Sequence, residues 1–328
     1  MDWKDELKGL WHRVTWTGTA AFSLPGVLLE IQPDFVLAAR LAGKNNGNGG
    51  AQVGRLAWKA LPPGCVAPSP GGPAVLNPEA LAGALEQAVL AVGNGQTRVG
   101  LLLPDGAVRV GVFPFETLPA NAREAATLIA WKMRESLPFP PEEARITYQT
   151  TRPTTSELEV TAVAGRASVL AAFEGVLEAV NRSSAMMLPV TLALLPSLPD
   201  EGGRGQLVVH VCSSSATFAV AEGERLRFWR TRDFSGLAEA EYLEQVAAEA
   251  ARVVASTEDR LELPLGRVWF CARPPATLAW LDRLAQALGR AAEPLEPHPG
   301  LGSLLVGEEK ALFRTYGAPL AGLVANRE

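Results

Sequence analysis

Residues Val108 to Gln149 read VRVGVFPFETLPANAREAATLIAWKMRESLPFPPEEARITYQ, and the fold is decided here. Val108, Val110 and Val112 alternate with Arg109 and Gly111, the period of a half-buried strand. Ala125, Leu128, Ile129, Trp131, Met133 and Leu137 then recur at helical spacing, which predicts a helix lying on that strand's sheet, with Arg123, Glu124, Lys132 and Glu135 outside. Pro138 stops the helix in this reading, because proline lacks the N–H, clashes with the preceding turn and pushes the residue before it out of helical geometry. Ile146, Tyr148 and Thr150 predict an edge strand. Periodicity alone fits a strand-helix-strand module of any α/β protein; the Pro-Phe-Pro-Pro-Glu-Glu stop is the more specific mark.

With its marks at Phe113, Pro114, Pro119, Trp131, Leu137, Pro138, Phe139, Pro140, Glu142, Glu143, Tyr148 and Gln149, the stretch resembles the PilM family of type IV pilus assembly proteins, relatives of the actin-like division protein FtsA. The resemblance implies an α/β, actin-like fold: two duplicated ribonuclease H-like domains with an inserted subdomain of the FtsA/PilM type. It also implies the domain order. An N-terminal amphipathic helix spans 1–16, the first actin-like domain 17–97, the inserted subdomain 98–181, a return to the first domain 182–203, and a shortened second actin-like domain 204–328.

Outward from the stretch, the pattern fits that order. Val27 to Ile31 and Phe35 to Leu41 read as a hairpin joined by Gln32, Pro33 and Asp34. Pro78 to Val92 reads as a helix with Asn77 as N-cap, and Arg98 to Leu103 as the next strand. Glu157 to Ala164 is a strand, Ser168 to Asn181 a helix, and Leu188 to Leu198 an apolar return. The segment Glu201 to Gly205, EGGRG, marks the boundary between the halves. Gln206 to Val211, Thr217 to Val220 and Leu226 to Arg230 read as a meander. Leu237 to Ser256 is a long helix, Arg267 to Cys271 a strand, Ala276 to Leu288 a helix, and Leu312 to Val324 the last apolar helix.

Composition bounds the rest. A chain of 328 residues is long enough for two domains. An apolar fraction of 48% without a run of twenty apolar residues predicts a soluble protein, and the acidic first turns do not read as a secretory signal. Cys65, Cys212 and Cys271 lie too far apart in sequence for a metal or disulfide signature, as suits a reducing cytoplasm. A net charge of −5 argues against nucleic acid as a partner. Trp3, Leu7, Leu10, Trp11 and Val14 share one helical face, which either packs on its own domain or docks on a membrane or partner.

Actin-like ATPases hold phosphates with one hairpin loop in each half, where glycine lets backbone N–H groups approach and carboxylates hold water on magnesium. The resemblance places the first loop at Glu30, Ile31, Gln32, Pro33, Asp34 and Phe35. Gln32 stands for the glycine, Pro33 has no N–H to donate, and Asp34 brings negative charge toward an anion. In the second loop His210 stands for the magnesium-side acid and Cys212 for the glycine, leaving Ser213 to Ser215 as the receptive residues. Where the family has a Gly-Gly turn against adenine, the chain reads Cys271, Ala272, Arg273, Pro274, Pro275. The segment between Gly236 and Arg267 is also short for a subdomain covering a base. These departures predict a pseudo-ATPase, with no catalytic residue and neither ATP nor magnesium as cofactor. His210 and Cys212 share a strand face but lack a third metal ligand, and Ser213 to Ser215 lack the surroundings of a nucleophile elbow.

The implied function is a scaffold at the inner face of the inner membrane. It binds the cytoplasmic N-terminal peptide of a PilN-like membrane protein, reaches the membrane through that partner, and contacts pilus motor ATPases. A divergent working ATPase and a GspL-like cytoplasmic component of type II secretion are the alternatives.

Overall fold

The structure, a computed structural model, describes residues 24–43, 51–93, 95–152, 158–273 and 278–325. The helix expected over 1–16 and the Lys44 to Gly50 loop lie outside them. Strands β1 (Val27–Ile31), β2 (Phe35–Ala42) and β3 (Gln52–Ala60) form an antiparallel meander. Helix α1 (Pro78–Val92) crosses back to β4 (Arg98–Leu103), which pairs parallel with β1. The Asn77 side chain caps α1 by accepting from the Ala80 N–H at 3.0 Å, and Pro78 needs no partner in the first turn.

A separate antiparallel sheet follows, of β5 (Arg109–Phe115), β6 (Ala144–Thr151) and β7 (Leu158–Arg166) in the order β5-β7-β6, with helix α2 (Ala122–Met133) packed on one face. Helix α3 (Ala167–Ala179) leads to β8 (Ser183–Pro189), which completes the first sheet as β3-β2-β1-β4-β8, and a short helix α4 (Val190–Leu194) leaves it. The second half repeats the plan. It runs β9 (Gly205–Val211), β10 (Ser215–Glu222), β11 (Arg225–Asp233), α5 (Glu239–Arg260), β12 (Leu265–Ala272), α6 (Leu278–Leu288) and β13 (Ala292–Pro294), ordered β11-β10-β9-β12-β13. Helices α7 (Gly307–Tyr316) and α8 (Ala318–Ala325) end the described chain.

Both main sheets are buried on both faces, so β1, β4 and β9 read as near-continuous apolar runs. Helices α1 and α3 cover the outer face of the first sheet, and α5 and α6 that of the second. Between the two inner faces lies one core: Leu28, Leu37 and Leu102 from one sheet, Val208 and Trp269 from the other, and Leu192, Phe313 and Leu320 from α4, α7 and α8.

Several expectations need correction. Arg98–Leu103 is not part of the inserted module: it hydrogen-bonds to β1 and β8 inside the first sheet. Helix α3 also packs on that sheet, through Val169, Phe173 and Leu177. The module is therefore β5 to β7 with α2. Helix α2 ends at Met133, five residues before Pro138, because the Ser136 hydroxyl and N–H both turn back onto the Met133 carbonyl. Trp131 and Leu128 face outward, Trp131 with 56% of its surface exposed; Ala126 takes the inward place instead. Strand β8 escaped the sequence reading, since Ser183 to Met187 alternates poorly. The final helix is two helices with Gly317 between them, where the chain is so close that a β-carbon would stand 2.4 Å from the Phe313 carbonyl oxygen.

Candidate functional site

Side chains alternate across a strand, and that period decides which residues meet between the halves. On β1, Leu28 points into the inter-sheet core and Leu29 away from it, so Glu30 points inward and Gln32 continues the row. On β9, Val208 points inward, hence His210 and then Cys212; on β12, Trp269 points inward, hence Cys271 and then Arg273. The three rows converge where the hairpin turns of both halves meet the end of β12. Glu30, Gln32, His210 and Arg273 are almost wholly buried there.

The contacts form two connected groups. Arg273 Nη1 lies 2.9 Å from Glu30 Oε1, which also accepts from Gln32 Nε2 at 3.0 Å. Arg273 Nη2 donates to the Tyr316 carbonyl, and its guanidinium lies 5.8 Å from the Phe35 ring centre and 5.7 Å from that of Tyr316. In the second group, Asp105 accepts from the Thr191 N–H at 2.9 Å and from its hydroxyl at 2.5 Å. His210 Nδ1 lies 2.7 Å from Thr191 Oγ1 and 3.0 Å from Asp105 Oδ2. Because the threonine proton is committed to the carboxylate, Nδ1 carries the histidine proton and donates to both oxygens. The Cys212 thiol joins the groups, donating to Gln32 Oε1 at 3.4 Å with His210 Nε2 at 3.8 Å.

Burial raises the Glu30 carboxyl above its ordinary range, against the pull of Arg273, Gln32 and His210. It raises Asp34 in the same way and pushes the Cys271 thiol up to about 11 and Cys212 well above its usual value. Neither thiol is a prepared nucleophile. Three backbone donors at this junction are spent as well. Gln32 N–H donates to the Phe35 carbonyl, Cys212 N–H to that of Ser215, and Arg273 N–H to that of Val211. Three carboxyl groups, Glu30, Asp34 and Asp105, stand there beside one guanidinium and one imidazole. A phosphate entering between these hairpins meets carboxylates and no free backbone donor from those three residues.

Of the residues singled out in the sequence, the structure brings together Glu30, Gln32, His210, Cys212 and Arg273. Pro33 and Asp34 occupy the half-buried hairpin tip, and Ser213 is exposed beyond the cluster. Trp3, Leu7 and Trp11 lie outside the described residues. Asp105, Thr191 and Tyr316 were missed. The signal for the first two was a polar residue beside or inside an apolar run, LLLPD and LPVTLALL. Among the described residues no group of three or more His, Cys, Asp or Glu side chains is arranged to hold a metal ion. Nor is any described helix long and apolar enough to cross a membrane.

No family model matches the chain, and no curated protein matches it in sequence. Solved structures do match in fold. A chain of a "PilM-PilN type IV pilus biogenesis complex" superposes with a TM-score of 0.76 at 18% identity, covering 92% of this chain and 98% of that one. The cytoplasmic domain of EpsL, an inner-membrane component of the type II secretion system of Vibrio cholerae, gives 0.43 at 13% identity over 80% and 93%. A Bacteroides thetaiotaomicron protein with an actin-like ATPase fold gives 0.47 at 9% identity over 81% and 89%. The fold is actin-like and PilM-like, as the sequence resemblance implied.

Proposed function

We propose that the chain is a nucleotide-independent scaffold of a type IV pilus machine, holding the N-terminal cytoplasmic peptide of a PilN-like inner-membrane protein and so standing at the inner face of that membrane. The reading draws its support from the likeness of nearly the whole chain to a protein solved in a PilM-PilN complex. Loss of nucleotide is supported by a single observation: Arg273 and Glu30 meet at 2.9 Å, wholly buried, between the two hairpins. In this reading the protein is not an enzyme. It passes contact with motor ATPases to the membrane complex by binding alone, and an extended peptide supplies apolar side chains to a groove.

Calorimetric titration tests it with two ligands, Mg-ATP and a synthetic N-terminal cytoplasmic peptide of a PilN-like protein. Peptide binding with no heat from Mg-ATP is the expected result. ATP binding establishes the divergent ATPase instead, and failure of the peptide to bind removes the scaffold reading. Pro33→Gly with Asp34→Ser is expected not to create ATP binding, because Cys212 and the Arg273–Glu30 pair remain.

A further inference from the structure

The residues around Arg273 come from three separately folded parts of the chain. Arg273 itself ends β12 in the second half, and its N–H donates to the Val211 carbonyl of β9 at 2.7 Å. Its guanidinium reaches Glu30 on β1, the central strand of the first half. The same group donates to the Tyr316 carbonyl at the end of α7, where the unpaired carbonyls and the helix dipole favour a cation. Behind it, the Phe35 ring stacks on Trp58 at 6.1 Å and meets Tyr316 edge-on at 5.1 Å, so the guanidinium closes an aromatic wall built from the first sheet and α7.

The C-terminal pair α7 and α8 is itself bound to the first half. Glu309 accepts from Arg55 Nε at 2.7 Å and from the Leu56 N–H of the edge strand β3 at 3.4 Å. In α8, a β-carbon at Gly322 would lie 2.0 Å from the Ala193 carbonyl oxygen of α4. Thus α7 and α8 are fastened to the first half at their flanks, and Arg273 fastens α7 to the second.

We propose that Arg273 is an interdomain clasp: it holds the two halves in one closed arrangement without a bound nucleotide, and the halves part only when α7 releases the guanidinium. A positively charged planar fork is suited to this role. It meets a carboxylate, a helix-end carbonyl and two aromatic rings at once, which the ammonium of lysine cannot do. Arg273 Nε and Nη1 and Glu30 Oε2 make no hydrogen bond, so Arg273 and Glu30 meet as an ion pair and the site is spread around several contacts rather than closed by a bidentate pair. Such a junction can open without breaking a fully satisfied network.

The proposal deepens the nucleotide-free reading, and its test is separate from the titrations above. Spin labels are placed on Glu86→Cys in α1 and Asp259→Cys in α5, both exposed on outer helices of opposite halves, while Cys65, Cys212 and Cys271 are buried. The unaltered clasp is expected to give one narrow distance distribution, unchanged by Mg-ATP. Arg273→Ala is expected to broaden it toward longer distances, and millimolar guanidinium chloride to narrow it again by filling the place left by the side chain. A narrow, unshifted distribution in folded Arg273→Ala overturns the clasp. If alanine yields only unfolded protein, Arg273→Met decides, since it keeps bulk without charge: broadening supports the clasp and an unchanged distance overturns it. Mg-ATP binding by the protein with a guanidinium-dependent distance would sink the nucleotide-free reading alone.

Discussion

His210 and Asp105 stand 3.0 Å apart across the boundary between the halves, both buried, with the Thr191 hydroxyl touching each of them. Asp105 leaves the first sheet at the end of β4, Thr191 opens α4, and His210 sits on the central strand of the second sheet. Asp105→Ala leaves the Thr191 N–H and the Thr191 hydroxyl without their acceptor and takes one of two from the His210 Nδ1–H. With an orphaned buried donor costing about 1–3 kcal/mol, we expect a loss of roughly 3 kcal/mol in denaturant unfolding. Asp105→Asn keeps one acceptor for the Thr191 N–H and is expected to lose less. Equal losses in the two variants would show that the oxygen facing the Thr191 N–H is idle.

Gly322→Ala sets a methyl group against the backbone of α4, which cannot swing aside like a side-chain end, and a cost above about 2 kcal/mol is expected. Gly83 in α1 and Gly175 in α3 have nothing within 4 Å of the position a β-carbon would take. Each replacement there by alanine is expected to stabilise by about 0.5–1 kcal/mol through helix propensity. Melting temperatures of the three variants check the contrast.

The Glu30 carboxyl titrates above its ordinary 4.5 in the folded protein because burial disfavours its charge. The folded state therefore holds this proton more tightly than the unfolded chain. Its contribution to stability is complete below pH 4.5 and is lost as the pH rises through the folded value. Unfolding free energies measured upward from there are expected to fall less steeply with pH in Glu30→Gln than in the native sequence. Parallel slopes would refute the assignment. The slope is what matters, since Glu30→Gln also leaves Arg273 without the counter-charge that an ionised Glu30 supplies.

All three cysteines are buried and free. With burial pushing Cys271 up to about 11 and Cys212 well above its ordinary value, little thiolate forms at either at pH 8. A colorimetric thiol reagent at that pH is expected to find almost no reactive group in the native protein and three after unfolding in guanidinium. Rapid native modification of Cys212 would show that the inter-sheet cluster opens on the timescale of the reaction.

Trp131 spends its ring under the Arg134 guanidinium, 4.4 Å from the ring centre, and otherwise faces solvent. Trp131→Ser is expected to change stability by less than about 1 kcal/mol. A loss of the size seen for core tryptophans would return this residue to the interior where the sequence periodicity placed it.

The amino-acid sequence by itself determined the elements that rest on local chemistry. The hairpin around Pro33, helix α1 with its Asn77 cap, the meander of the second half and the order in which helices and strands recur all follow from turn residues, caps and two-residue alternation. The expectation of a loop hostile to phosphate is likewise local, because a proline without an N–H and an acid beside it are legible wherever they fold. Tertiary structure alone decided which residues meet. Alternation says that Glu30, His210 and Arg273 each face one side of a strand, but not that these three sides look at each other. The Gln32–Cys212 contact closes over 180 residues and the Asp105–His210 contact over 105, and both depend on two sheets pressing α4, α7 and α8 between them. The same reason hid Tyr316, whose carbonyl as well as its ring meets the arginine, and misplaced Trp131. An apolar residue at helical spacing is drawn inward only where another layer stands to cover it, and no sequence period carries that information.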